Sequence, residues 1–390
     1  MTMVTLSDVT KIVTKGTTPT TLGMAFQENG IPFIRVNNIH DELLNFKDDV
    51  LYIDAKTHEK LSRSIIKPKD VLISIAGSIG RSCVVPDDAP DLNCNQAVCI
   101  IRCDFEKILP EYLSYWLGSE IARSQITNSK VTGVIQNLSL TQVKALKIDL
   151  PPLAEQRRIA SILDQADDLR QKRQQAIEKL GQLLQATFID MFGDPVINNK
   201  NLPTKALGEL GTWASGGTPS RSEFTYFKGH IPWYTSGELN SIYISESIEK
   251  ISESAIEKSS AKLIPVGSLL IGMYDTAAFK SSITIVPSAC NQAIAFTALN
   301  NDLVNTVYVY YAIQLSKDSL KSMQRGVRQK NLNLSMVKSI EIPVPDIKLQ
   351  NTFCEISNNL LGHKDILKKS SENLDILFSS LQNQAFNGTL

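Results

Sequence analysis

Two stretches of this 390-residue chain carry the same ordered set of short motifs about 200 residues apart, and no other feature restricts the possible folds as much. Lys15-Gly16-Thr17-Thr18-Pro19 is matched by Ser215-Gly216-Gly217-Thr218-Pro219, and Ile31-Pro32-Phe33 by Ile231-Pro232-Trp233, both at an offset of 200. Cys94-Asn95-Gln96-Ala97-Val98 meets Cys290-Asn291-Gln292-Ala293-Ile294 at offset 196, and Tyr112 and Tyr115 keep step with Tyr308 and Tyr311. Through Gly133-Val134-Ile135-Gln136 against Gly326-Val327-Arg328-Gln329 the register slips, and it settles at 194. There Asn137-Leu138, Val143-Lys144, Ile148, Pro151 and Gln156 pair with Asn331-Leu332, Val337-Lys338, Ile342, Pro345 and Gln350. A shared order with so little drift means tandem duplication of a unit about half the chain long.

Each unit has two parts. Residues 1–150 and 196–345 mix short apolar runs, such as Val71-Leu72-Ile73-Ser74-Ile75, with frequent Gly, Pro, Asn and Asp, the pattern of strands and loops. A helix is expected from Pro110 to Ile126, with Tyr112, Tyr115, Trp116 and Ile121 on one side. These parts read as mixed α/β (α+β) domains. Residues 151–195 and 346–390 differ in kind. Positions 159, 162, 166, 169, 173, 176, 180, 183, 187 and 190 hold seven apolar residues in ten, and so do the positions 194 further on, from Phe353 to Gln384. Each stretch is expected to form one long helix of about 57 Å at about 1.5 Å per residue. Such stripes need cover, and the economical solution is an antiparallel coiled coil with a globular domain at each end and a pseudo-twofold axis between them. Arg173 and His363 fall in the expected seam as tolerated polar positions.

Forty basic residues balance 40 acidic ones, so bulk charge names no partner. No dinucleotide or phosphate loop, metalloprotease helix or nucleophile elbow occurs, and the Asn-Pro-Pro-aromatic motif of amino-methyltransferases is missing, so no enzyme active site is expected. The six cysteines (Cys83, Cys94, Cys99, Cys103, Cys290 and Cys354) lack paired zinc spacing and read as buried thiols. With no long apolar run and no signal-like start, a cytoplasmic location is expected.

The distribution of charge is more telling than its sum. No acidic residue occurs between Glu120 and Asp149, while Arg123, Lys130, Lys144 and Lys147 do; between Asp318 and Glu341 the same holds around Lys321, Arg325, Arg328, Lys330 and Lys338. Lys60, Arg63, Lys67 and Lys69 form a further basic stretch, answered by Lys258 and Lys262 with Lys280 beyond. Recurrence at equivalent places fits contacts to phosphates. Near these stretches lie groups able to read base edges: Arg35, Asn37, Asn38, Gln136 and Asn137, with Gly77, Ser78 and Arg81 in a turn-like loop. The second unit offers different residues at the corresponding places: Thr235, Ser236 and Glu238; Tyr274, Thr276 and Lys280; and Gln329 and Asn331. Scaffold positions match where reading positions do not, as expected of two readers built on one framework.

The whole chain resembles the specificity subunits of type I restriction-modification systems. The resemblance rests on the repeated Thr-Pro, Ile-Pro-aromatic and Asn-Gln-Ala motifs and on Leu150-Pro151-Pro152-Leu153-Ala154-Glu155-Gln156 leading into a long helix. The ending Ser380-Leu381-Gln382-Asn383-Gln384-Ala385-Phe386-Asn387-Gly388 fits the same family. Val344-Pro345-Asp346-Ile347 departs from it by lacking the second Pro, and Asp346 is expected to cap that helix instead. The resemblance implies a non-catalytic subunit with two target-recognition domains, residues 1–150 and 196–345, reading a bipartite double-stranded DNA target. It further implies two modification subunits and restriction subunits as partners, which bring S-adenosylmethionine, ATP and Mg. The alternatives are a specificity subunit of a methylation-only system and a coiled-coil scaffold that does not bind DNA. Because Leu6-Ser7-Asp8-Val9 corresponds to Leu207-Gly208-Glu209-Leu210, the carboxyl end is expected near the amino end. A circular permutant opened within residues 195–206 is expected to retain DNA-dependent methylation with its partners, and a folded but inactive permutant would refute the cyclic arrangement.

Overall fold

The run Val71-Leu72-Ile73-Ser74 is buried at every residue, so it needs neighbours on both edges and cover on both faces. It receives them as a central strand, Val71–Ser74, in the antiparallel order Thr10–Lys15, Val98–Cys103, Val71–Ser74, Ser82–Val84. The structure is a computed structural model describing residues 2–40, 42–128, 137–274, 278–325 and 332–390. It divides into two compact units, the first made of residues 1–174 with 369–390 and the second of 175–368.

In the first unit a second sheet runs Leu51–Ile53, Ile31–Ile34, Leu92–Cys94, Ile65–Ile66, its middle pair parallel, with Phe33 opposite Asn93 and Ile34 opposite Cys94. Thr2–Thr5 forms a separate ribbon with Lys147–Leu150. The second unit repeats this plan. Ala214–Ser215, Ile294–Thr297, Leu269–Gly272 and Ser281–Thr284 follow the same antiparallel order, with Tyr243–Ile244 added at the edge. Ile231–Tyr234 pairs in parallel with Ala289–Cys290, and Thr204–Ala206 forms a ribbon with Glu341–Pro343. The duplication seen in sequence is therefore a duplication of topology.

The repeated motifs are the joints of this plan. A Cβ on Gly16 would stand 2.1 Å from the Cys94 carbonyl oxygen, and one on Gly216 2.3 Å from that of Cys290, so only glycine fits where the strand passes so closely. Asn95 and Asn291 each fold back to accept from the amide two residues on, at 3.1 Å, which makes the Asn-Gln-Ala segment a tight turn. The Thr18 hydroxyl bonds the Gln96 side chain, and that of Thr218 bonds Gln292. Gln156, fully buried, accepts from the Leu109 amide and donates to the carbonyls of Lys107 and Pro151, each at 2.9 Å; Gln350 does the same with Asn305, Leu303 and Pro345. One glutamine thus seats the start of each long helix against its domain.

Those helices, Leu153–Phe192 and Ile347–Asn387, are 40 and 41 residues long. In the first unit Arg158 bonds the Leu390 carbonyl and Arg170 bonds Asp375, so the chains run antiparallel there. Tyr112 packs on Phe386 and Tyr115 on Phe378 at ring separations of 5.4 and 6.1 Å. In the second unit Phe188 and Phe192 from one helix, Phe353 from the other and Tyr308 from the domain form one aromatic cluster. Asp346 Oδ1 accepts from the Lys348 amide at 2.8 Å, as expected of a cap.

Two expectations need correction. The seam is shifted at alternate positions. Positions 159, 166, 173 and 180 lie on it, but Leu163, Ile177 and Leu184 are buried in place of Ile162, Ala176 and Leu183, and Leu169 is exposed. Phe353 holds its place, while Ser357 and Phe378 replace Ile356 and Leu377, and His363 is exposed. Adjacent apolar residues make both registers plausible on paper, and the domain packed against each helix selects one. The helix expected from Pro110 to Ile126 is broken into Pro110–Gly118 and Glu120–Asn128, because Ser119 is extended and its hydroxyl both donates to the Trp116 carbonyl and accepts from the Ala122 amide. Gln156→Ala and Gln350→Ala are each expected to cost about 2–3 kcal/mol, because buried backbone groups are left unpaired. Urea unfolding would read this as a lowered midpoint, with the exposed Gln165→Ala as the neutral reference.

Candidate nucleic-acid interface

Strand pairing gathers the candidate reading segments at one end of each unit. In the first unit Lys15 lies opposite Cys99, Ser74 opposite Val98 and Ile73 opposite Ser82, so the segments around Gly16, Gly77 and Arg81 leave the sheet on the same side. The second sheet ends there too. The Asn95 amide donates to the Ile34 carbonyl and the Thr17 amide to that of Cys94, both at 3.1 Å, which binds the two sheet ends together. Leu138 donates to the Ile75 carbonyl at 2.7 Å and Ala76 bridges Asn137, so Asn137 joins the group. In the second unit Gly272 lies opposite Ile294 and Ile271 opposite Ser281, Asn291 donates to Tyr234, Gly217 to Cys290, and Leu332 to Met273 at 2.7 Å.

At this end Asn37, Gly77, Ser78 and Asn137 are exposed, as is Tyr274 in the second unit, while Arg81, Thr235, Ser236 and Lys280 are half-buried. Hairpin bases match between units: Ser74 donates to the Arg81 carbonyl and Gly272 to that of Lys280, both at 2.8 Å. Gly80 and Phe279, at equivalent places, both adopt positive φ. A cleft of about 240 Å³ beside the first hairpin is lined by Ser78, Arg81 and Arg123 together with Glu42. Lys130, Gln136, Thr276, Arg328, Gln329, Lys330 and Asn331, and the side chain of Arg325, lie outside the described residues.

Asn38 and Glu238 do not read as expected. Asn38 is buried; its Oδ1 accepts from the Arg35 amide at 2.9 Å and its Nδ2 donates to the Asp49 carbonyl at 3.2 Å. Glu238, at the same place in the second unit, accepts from the Thr235 amide and hydroxyl at 2.8 and 2.7 Å and from the Ile248 amide at 2.8 Å. An apparent difference between readers is thus one shared device that pins a short 3₁₀ turn, and it leaves no polar edge to offer a base. Arg35 is likewise committed, donating to the Asp49 carbonyl at 2.9 Å with its carboxylate 3.7 Å away.

Among the described residues nothing at this end resembles a catalytic centre. Burial pushes the thiols of Cys99 and Cys290 up to about 12 and raises Cys83 and Cys94 as well, so these groups are inert packing. Among the described residues no His, Cys, Asp or Glu group could hold a metal ion, and no helix is long and apolar enough to cross a membrane.

The family model for the type I restriction modification DNA specificity domain matches this chain twice, over residues 1–179 and 199–375. The chain belongs to that family. It is a type I specificity subunit with two recognition domains, a non-catalytic role. The specificity subunit of an Escherichia coli type I restriction enzyme is 27% identical over 66% of this chain and 64% of its own length. A putative counterpart from Methanocaldococcus jannaschii is 22% identical over 93% and 87%. A type I system structure covers 100% of this chain and 98% of its own at a TM-score of 0.59 and 18% identity. The crystal structure of a specificity subunit from M. genitalium covers 99% and 96% at 0.58 and 15%. At those identities the structural likeness concerns the fold.

The two asparagines of one turn in this specificity subunit differ in burial, Asn38 being enclosed and Asn37 exposed. Asn38→Ala is expected to lower stability by about 1–3 kcal/mol in thermal or urea unfolding. The exposed Asn37→Ala should stay within about 0.5 kcal/mol of the parent and instead alter target preference in methylation assays.

Proposed function

We propose that each unit places its reading end against one half of a bipartite DNA target, and that the paired long helices fix the distance between the halves. The observation that carries this is the convergence, in both units, of the exposed loop residues on one end of a framework whose joints are the same. Asn37, Ser78, Arg81 and Asn137 act on the first half-site, and Ser236, Tyr274 and Lys280 on the second, through base edges and phosphates together. Identical joints with different tips allow one architecture to read two sequences.

The helices also offer apolar residues to partners. Leu183 and Ile366 are exposed at a groove of about 390 Å³ lined by Ala176, Leu180, His363 and Leu367, and Leu169, Ile376 and Leu377 are exposed further along. Such rows suit helices of two modification subunits, which bring S-adenosylmethionine and methylate adenines, while restriction subunits use ATP and Mg. Inserting four residues into both long helices adds about 6 Å, on the order of two base pairs of rise. The expected result in long-read methylome sequencing is a longer spacer between unchanged half-sites; an unchanged spacer would remove the ruler role.

A further inference from the structure

The two units differ in one respect that duplication does not predict. In the first, the chain after Gly118 breaks at Ser119, whereas in the second the corresponding helix, Thr306–Arg325, runs on for 20 residues. Its second half, equivalent to the separate helix Glu120–Asn128 of the first unit, carries Lys317 and Lys321 four residues apart, on one face. One turn earlier Gln314 donates to the Phe279 carbonyl at 3.1 Å and to the Ser281 hydroxyl, which clamps the helix across Lys280. Among the described residues the Lys280 ammonium donates to a neutral partner, Asn240 Oδ1, at 2.7 Å.

We propose that Lys317, Lys321 and Lys280 form a phosphodiester-binding site that grips the DNA backbone at the second half-site. This rests on the reading of the chain as a DNA-recognition subunit and adds to it an asymmetric division of labour. Burial, Lys321 and Lys280 all push the Lys317 ammonium below its usual range; the opposing Asp318 carboxylate is the weakest of these influences. Lys317 is therefore repelled by both Lys321 and Lys280 in the free protein, an arrangement that a bound anion relieves. Among the described residues, the first unit instead sets Arg81 and Arg123 beside the Glu42 carboxylate. Its positions 196 residues earlier are Ile121, packed in the core, and Gln125, which bonds the Lys147 backbone at 2.7 and 2.8 Å. Lys317 escaped notice in the sequence because Asp318 closes the acid-free stretch one residue too late to include it.

The test uses the full chain assembled with its modification subunit and a labelled random-sequence duplex three helical turns long, titrated between 50 and 200 mM salt. For Lys317→Gln with Lys321→Gln, the slope of log affinity against log salt should fall by roughly 1.8, at about 0.9 per lost phosphate contact. An equal-charge control, Lys205→Gln with Lys348→Gln, should keep the parental slope, and the methylated motif of the Lys317/Lys321 variant should be unchanged. A parental slope in that variant, an equal fall in the control, or altered base preference in the second half-site would each overturn the proposal. Failure of the parent complex to bind duplex at all would instead overturn the DNA-recognition reading on which the proposal stands.

Discussion

The closure of two separate cores by the same two helices is the constraint on which the rest depends. Ile159, Leu163 and Ala166 from the first long helix and Phe378, Ala385 and Phe386 from the second complete the core of the first unit. Leu184, Phe188 and Phe192 with Phe353 complete that of the second. Apolar surface on each helix is thus shared between its partner helix and a domain, and withdrawing either helix would expose both cores. Antiparallel pairing follows, because each unit takes one beginning and one end.

Framework and readout are separated at the level of single residues. Gly16 and Gly216, Thr18 and Thr218, Gln156 and Gln350 are held by close approach or buried hydrogen bonds, so they have no freedom to vary with the target. The loops between them end in exposed side chains whose identity costs the fold little. A specificity subunit built this way can exchange its tips while keeping its joints. In the proposal above, the lysine cluster on the unbroken helix of the second unit would divide electrostatic grip unequally even where the sheets are equivalent.

Much of the architecture was legible because it follows from repetition and periodicity. The duplication, the two long helices and the turn-forming motifs need only local spacing and the demand that apolar stripes be covered. The candidate site was legible only in outline. Asn38 looked like a reader of adenine because a buried asparagine and an exposed one are the same letter, and its partner, the Asp49 carbonyl, lies 11 residues away. Glu238 was misread for the same reason. Lys317 was missed because Lys280, its neighbour in space, comes from a different element.

The two-unit plan, the antiparallel logic of the helices and the resemblance to the family follow from patterns repeated in one dimension. Which helix faces are buried, where a helix breaks, and which polar residues are joints and which are tips follow from packing in three. Those outcomes depend on whether a polar group finds its partner inside the protein or is left facing water, and hence able to meet DNA. That choice is made by chain segments brought together in space.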